Sequence, residues 1–320
     1  MINRNRLLLI TASIVAFATI LVYGGWIIFY SKYLISNIKS PTTNIPTSTI
    51  IYQNTYSSAL QFMQGIYDAD HHLAVPASGP RIRGLIVPHH LTASESIASG
   101  IKMLTNQTFK KILLITPDHF NSCPTLLCTT PGTYQTFFGN VSPDPAAEKI
   151  LSASPLVTVD SEMFKQEHGI FAVEPFIVHY FPDISVTPLA ISQNKLSWTT
   201  DESALLQLIE HMVDSDTIVI VSSDFSHYLP LETANQMDKA TIKTLLAKNL
   251  NGLASLKNPD QSDCPSCLWT LAALANARSF YHPTIVLHTN SAIILNDKNI
   301  PQTTSHFSMV WYEDASLNSR

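Results

Sequence analysis

The sequence predicts an α/β domain, with one mostly parallel central sheet covered by helices on both faces, preceded by a single transmembrane helix. Three observations predict it. From residue 81 onward, short continuous apolar runs alternate with amphipathic stretches, as expected of strands buried on both faces with helices packed over them. Residues 7–30 form an uncharged apolar run; as a helix it would rise about 36 Å, enough for a hydrocarbon core of about 30 Å. Of the 320 residues, 45% are hydrophobic and only 13% charged. That is ample for a core and excludes a disordered, collagenous or small disulfide-scaffold protein.

In chain order, residues 1–6 form a short tail carrying Arg4 and Arg6. Residues 7–30 are the expected anchor, with Tyr23, Trp26 and Tyr30 toward one end, where interfacial aromatics gather. A cleaved signal peptide would have a shorter apolar stretch and a small-residue cleavage site. Ser31-Lys32-Tyr33-Leu34-Ile35 offers no such site. Arg4 and Arg6 against Lys32 and Lys39 favour a cytoplasmic N-terminus, so the expectation is a single-pass membrane protein with its C-terminal domain outside the cytoplasm. Residues 31–60, rich in Asn, Ser, Thr, Pro and Ile, read as a tether.

Residues 61–320 read as one domain. Strands are expected at 81–88, 111–116, 185–191, 217–222, 283–289 and 307–312. Helices are expected at 93–104, 145–152, 170–180, 202–213, 231–246 and 268–277. The formal net charge is −5, and all 24 acidic residues lie from Asp68 onward. An acidic domain excludes nucleic acid as a partner, since phosphates require the opposite sign. The expected partners are the membrane, through the N-terminal helix, and a small-molecule or peptide ligand.

In open α/β sheets, ligands bind beyond the carboxyl ends of the strands. Four expected strand ends carry polar residues there: Pro88-His89-His90, Thr116-Pro117-Asp118-His119, Ser222-Ser223-Asp224-Phe225-Ser226-His227-Tyr228 and His288-Thr289-Asn290. One such histidine is most often a structural hydrogen-bonding group. Several imidazoles and a carboxylate delivered to one edge point instead to a divalent metal site or an acid–base site. The serines lack the Gly-x-Ser-x-Gly elbow of serine hydrolases. Glu167-His168 precedes the helix expected at 170–180, where it either caps that helix or sends His168 to the same edge.

Cys264-Pro265-Ser266-Cys267 stands at the start of the helix expected at 268–277. A helix N-terminus lowers a thiol pKa. Metal ligand, half of a disulfide with Cys267, and redox thiol are all consistent with this spacing, and Cys123 and Cys128 form a second close pair.

Together, Pro88-His89, Pro117-Asp118-His119, Glu167-His168 with Glu174-Pro175-Phe176, the run from Ser222 to Tyr228, and Cys264 resemble the Memo family, whose bacterial and archaeal members are called AmmeMemoRadiSam system protein B. The resemblance runs from about Tyr67 to Tyr312, and the run from Ser222 to Tyr228 is its most specific part. The sequence departs from the family pattern at His90-Leu91-Thr92 and at Pro265. The family is similar to the class III extradiol dioxygenases, non-haem iron enzymes with an α/β fold. The resemblance implies His89, His119 and Cys264 as metal ligands, Asp224 and His227 as pocket or acid–base residues, and His168 as a further pocket residue. The implied ion is iron or copper, with zinc also compatible. The expected function is a metal-dependent redox or oxygen-related activity. The alternatives are a non-catalytic binding module using the same cleft, and an exported dithiol oxidoreductase built on Cys264 and Cys267.

Overall fold

The computed structural model describes residues 50–314, apart from residues 199 and 282. The chain enters with β1 (Ile51–Gln53) and α1 (Leu60–His72), followed by β2 (Ile82–Val87), α2 (Ser94–Lys102) and β3 (Lys111–Pro117). Four short strands come next: β4 (Leu127–Thr129), β5 (Thr133–Thr136), β6 (Gly139–Val141) and, after α3 (Pro145–Ser152), β7 (Val157–Val159). Then follow α4 (His168–Phe171), α5 (Glu174–Tyr180), β8 (Ser185–Ile191), α6 (Glu202–Met212), β9 (Thr217–Ser222), α7 (Leu231–Leu246) and α8 (Leu250–Ala254). The described chain closes with α9 (Pro265–Ala277), β10 (Thr284–Asn290), α10 (Ser291–Ile294) and β11 (Ser305–Tyr312).

Eight strands form the main sheet in the order β10-β11-β2-β9-β3-β8-β4-β7. Its centre, β2-β9-β3-β8, is parallel. On one side β11 runs antiparallel to β2, and β10 antiparallel to β11. On the other side β4 is antiparallel to β8 and parallel to β7. The result is an α/β domain with a mixed sheet. A second, three-stranded sheet joins β1, β5 and β6, so residues 51–53 of the expected tether take part in sheet pairing.

Side chains alternate across the pleat, and this divides the core in two. Leu85, Val87, Ile112, Leu114, Ile218 and Ile220 pack with Phe62, Ile97 and Phe176 on one face. Ile86, Leu113, Ile115, Val219 and Val221 pack with Leu205, Ile209, Leu268 and Leu271 on the other. Burial of each such side chain stabilises the fold by roughly 1.5–3 kcal/mol. Helix α9 is apolar nearly all round and buried through most of its length, as a helix in the middle of a core must be. It lies so close to β2 that a Cβ on Gly84 would sit 2.6 Å from Leu271 Cδ1.

Two expectations change. The helix expected at 170–180 is interrupted between Phe171 and Glu174, where Pro175 in the first turn of α5 starts a new helix because its ring cannot continue the old one. The single-pass membrane placement, with an extracytoplasmic domain, is also corrected. Among the described residues no helix is long and apolar enough to cross a membrane, and the run at 7–30 on which the anchor rested lies outside the described residues.

Candidate metal centre

Because β2, β9 and β3 are parallel neighbours, the segments that leave them start at one edge of the sheet. His89 follows β2, Ser223 and Asp224 follow β9, and His119 follows β3. Glu167 and His168 reach this edge from the start of α4, and Asp263 from the segment ahead of α9. His89, His119 and His168 each present a ligand atom within 4.8 Å of the others. A second group, sharing His89, adds Asp224 and Asp263 at the same spacing.

The rings are oriented from behind. Ser222 Oγ donates to the Gly169 carbonyl at 2.7 Å, so its lone pair takes the Nδ1–H of His89 at 3.1 Å. Glu167 Oε1 accepts from His119 Nδ1 at 2.6 Å and from the Gly169 N–H at 2.9 Å, so one buried carboxylate both caps α4 and orients a histidine. Both Nε2 atoms are thereby turned toward Asp263. Asp263 is itself held: Oδ1 accepts from Ser223 Oγ at 2.8 Å, and its carbonyl accepts from Asn258 and Gln193. Asp263 Oδ2 lies 3.0 Å from His89 Nε2 and 3.7 Å from His119 Nε2. Yet His119 Nε2 and Asp263 Oδ2 are buried without an aligned hydrogen-bond partner among the described residues. Buried polar atoms left this way call for a bound group.

Gly169 makes the approach of α4 to β3 possible, since a Cβ there would lie 1.9 Å from Thr116 Oγ1. His168 then packs against His119, ring centroids 3.8 Å apart and planes tilted by 34°, and lies 5.3 Å from the His89 ring.

Burial opposes charge on His119, but the facing carboxylate of Asp263 and the hydrogen-bonded carboxylate of Glu167 outweigh it and push its pKa up to about 10. His89 is raised as well, because Asp224 and Asp263 overcome its burial. His168 moves the other way, to about 4, driven by burial and then by the charges on His119 and His89. Asp224 and Asp263 stay below the usual carboxylate range despite burial, through His89 first and then His306 for the one and His119 for the other. Without an ion, protons on imidazole balance the buried carboxylates. A divalent cation can take their place.

The expected site residues fall out as follows. His89, His119, His168 and Asp224 come together. His227 lies outside both groups, with its Nδ1 donating to the Phe225 carbonyl at 2.6 Å. Cys264 requires correction. It is joined to Cys267 in a disulfide and, as the N-cap of α9, its sulfur accepts the Cys267 N–H. A disulfide sulfur is not a thiolate, and the neighbouring Asp263 presents the anionic donor instead. Cys123 and Cys128 are likewise joined. Asp118 closes the loop after β3 by accepting the N–H groups of Ser122 and Cys123. His288 stands apart, 3.4 Å from Asp238 and stacked on Phe307.

Sequence reasoning missed Asp263 and His306. Asp263 precedes a helix instead of following a strand, and its adjacency to Cys264 was the available signal. His306 opens β11; because that strand is antiparallel to β2, its first residues lie at the edge where the parallel strands end.

This α/β domain with a histidine–carboxylate centre belongs to the Memo-like protein family, whose model matches residues 48–267. A MEMO1 family protein of Pyrobaculum arsenaticum is 27% identical over 225 residues, covering 68% of this chain and 80% of the relative. Another, from Metallosphaera sedula, is 25% identical over 240 residues, covering 71% and 83%. An uncharacterized protein of Escherichia coli K12 with a solved structure is 17% identical at a TM-score of 0.46, covering 72% of this chain and 99% of its own.

Proposed function

We propose that this chain is a metal-dependent enzyme whose ion is held by His89, His119 and Asp263, and that it performs redox or oxygen-related chemistry on a small molecule. One observation supports this reading above the others. Nε2 of both histidines crowds Oδ2 of Asp263, His119 Nε2 and Asp263 Oδ2 have no aligned hydrogen bond, and each residue's other polar atom is engaged from behind. Two imidazoles and one carboxylate with open positions suit non-haem iron; zinc also accepts this set, and the absence of a free thiolate weakens the case for copper(I). A bound ion would supply a Lewis-acidic centre and, as iron, one-electron chemistry.

The chain's own residues supply the remainder. Ser222 and Glu167 fix the two rings, Ser223 fixes the carboxylate, and His168 packs against His119 beside the same centre. Asp224 Oδ2, 3.6 Å from His89 Nε2, keeps a negative charge next to whatever binds. The test is metal analysis of anaerobically purified full-length protein. About one iron per chain is expected, lost in His119→Ala and Asp263→Ala and retained in Cys264→Ser. Retention in Asp263→Ala with loss in Cys264→Ser would return the third ligand to sulfur.

The disulfides favour a second reading, a non-catalytic binding module in the same cleft, which negligible metal content would support. Exchange chemistry at Cys264 and Cys267 is disfavoured because both residues are fully buried, out of reach of an attacking thiolate.

A further inference from the structure

We propose that His306 is a ligand-binding residue of this centre, hydrogen-bonding through Nε2 to a hydroxyl group of the small molecule bound there. The inference rests on the metal-centre reading and adds what that centre recognises. His306 is completely buried, and its Nδ1 lies 2.9 Å from Asp224 Oδ1. The other oxygen of Asp224 faces His89 Nε2 at 3.6 Å. Asp224 therefore sits between an imidazole of the proposed ligand set and an imidazole outside it.

The sheet brings the two together. In the β11–β2 pairing Val310 is opposite Leu85 and Met309 opposite Ile86. Continued past the strand ends, that register sets His306 level with His89. Two backbone bonds hold the start of β11 against the segment that carries Asp224: Ser305 N–H to the Ser226 carbonyl at 2.8 Å, and Phe225 N–H to the Ser305 carbonyl at 2.9 Å.

What remains is a polar atom with nothing to bond. His306 Nε2 is fully buried and has no hydrogen-bond partner among the described residues. The exposed His90 ring lies nearly parallel to His306, 10° off with centroids 5.6 Å apart, and does not pair that nitrogen. An orphaned buried nitrogen beside a metal centre costs stability unless a ligand or water satisfies it. A hydroxyl is the group best suited, because it donates to a bare imidazole nitrogen and accepts from a protonated one.

The test compares two probes on the iron-loaded full chain. Glycolate carries a hydroxyl; acetate presents the same carboxylate to the metal and carries no hydroxyl. His306→Asn keeps an amide donor near the position of Nδ1, so Asp224 stays partnered, but removes the group at Nε2. His306→Gln puts a polar amide back near Nε2. His306→Asn is expected to leave iron content unchanged and acetate affinity within about twofold, while weakening glycolate roughly three- to tenfold, as for one lost hydrogen bond. His306→Gln is expected to recover part of that loss. Equal losses for both probes, no loss for either, no recovery in His306→Gln, or loss of iron in His306→Asn would each overturn the inference alone. A wild-type chain that holds no metal overturns the metal-centre reading and this inference with it.

Discussion

The two edges of the main sheet carry the same kinds of residue to opposite effect. At the amino edge, Lys111 pairs with Asp214, Lys110 meets Asp216 at 3.5 Å, and Arg83 donates to the carbonyls of Ser215 and Asp214. The lysine pairs are partly or largely open to water, where such pairs are worth well under about 1 kcal/mol each. At the carboxyl edge, His89, Asp224, Asp263 and Glu167 are buried with His119 half-buried beside them, all five are displaced from their ordinary pKa values, and His119 Nε2 and Asp263 Oδ2 are left without hydrogen bonds. Charge alone does not mark a site; charge withdrawn from water and left partly unsatisfied does.

The contrast breaks most readily at the ligands. His119→Ala or Asp263→Ala is expected to reduce bound iron to less than about a tenth of the wild-type value, measured by elemental analysis, whereas Lys111→Met leaves it unchanged. Equal effects at the two edges would dissolve the distinction. Next in size is Glu167→Ala, which releases the His119 ring; metal affinity should fall roughly 10- to 100-fold, read by competition with a chromophoric chelator.

Proton competition sharpens the comparison further. His119 in the metal-free protein keeps its proton up to a pH of about 10, and an ion must displace it. Metal affinity should therefore weaken by about tenfold for each pH unit lowered below that value. The stability of the metal-free chain should run the opposite way. The raised pKa of His119 contributes stability that is fully present below its unfolded value near 6.5 and is lost as pH rises through about 10. His168, depressed to about 4, adds a separate loss as pH falls from about 6.5 to 4, because only the unfolded chain takes up its proton there. Urea unfolding across this range with and without metal tests both signs. A pH-independent metal affinity would remove the imidazole protons from the account.

The smallest expected effects are on packing. Gly169→Ala must push α4 off Thr116 and should cost about 1–3 kcal/mol in urea unfolding. Lys111→Met should change stability by less than about 1 kcal/mol.

The central strands β2, β3, β8 and β9 were legible in the sequence because each is a continuous apolar run, and the helices α3, α6 and α7 because their apolar residues recur at helical spacing. The short strands β4, β5, β6 and β7 were not. Three or four residues do not establish a period, and Gly139-Asn140-Val141 becomes a strand only by pairing with β5. Among the site residues, His89, His119 and Asp224 could be read because they directly follow apolar strands. His306 could not, since a residue at the start of a strand reaches this edge only if the strand is antiparallel, and pairing direction is a tertiary fact.

By itself the sequence determined the α/β class, the apolar strands that end in histidine, and the family likeness carried by residues such as Glu167-His168 and Ser222 to Tyr228. These are local properties of composition, period and motif. Tertiary structure decided which anionic group stands before the two histidines and which further imidazole joins them. Cys264 and Asp263 are adjacent in the chain, and only the pairing of Cys264 with Cys267 and the grip of Ser223 on Asp263 turn the carboxylate inward. Directional chemistry at a centre depends on where side chains point, and that is set by packing among segments far apart in sequence.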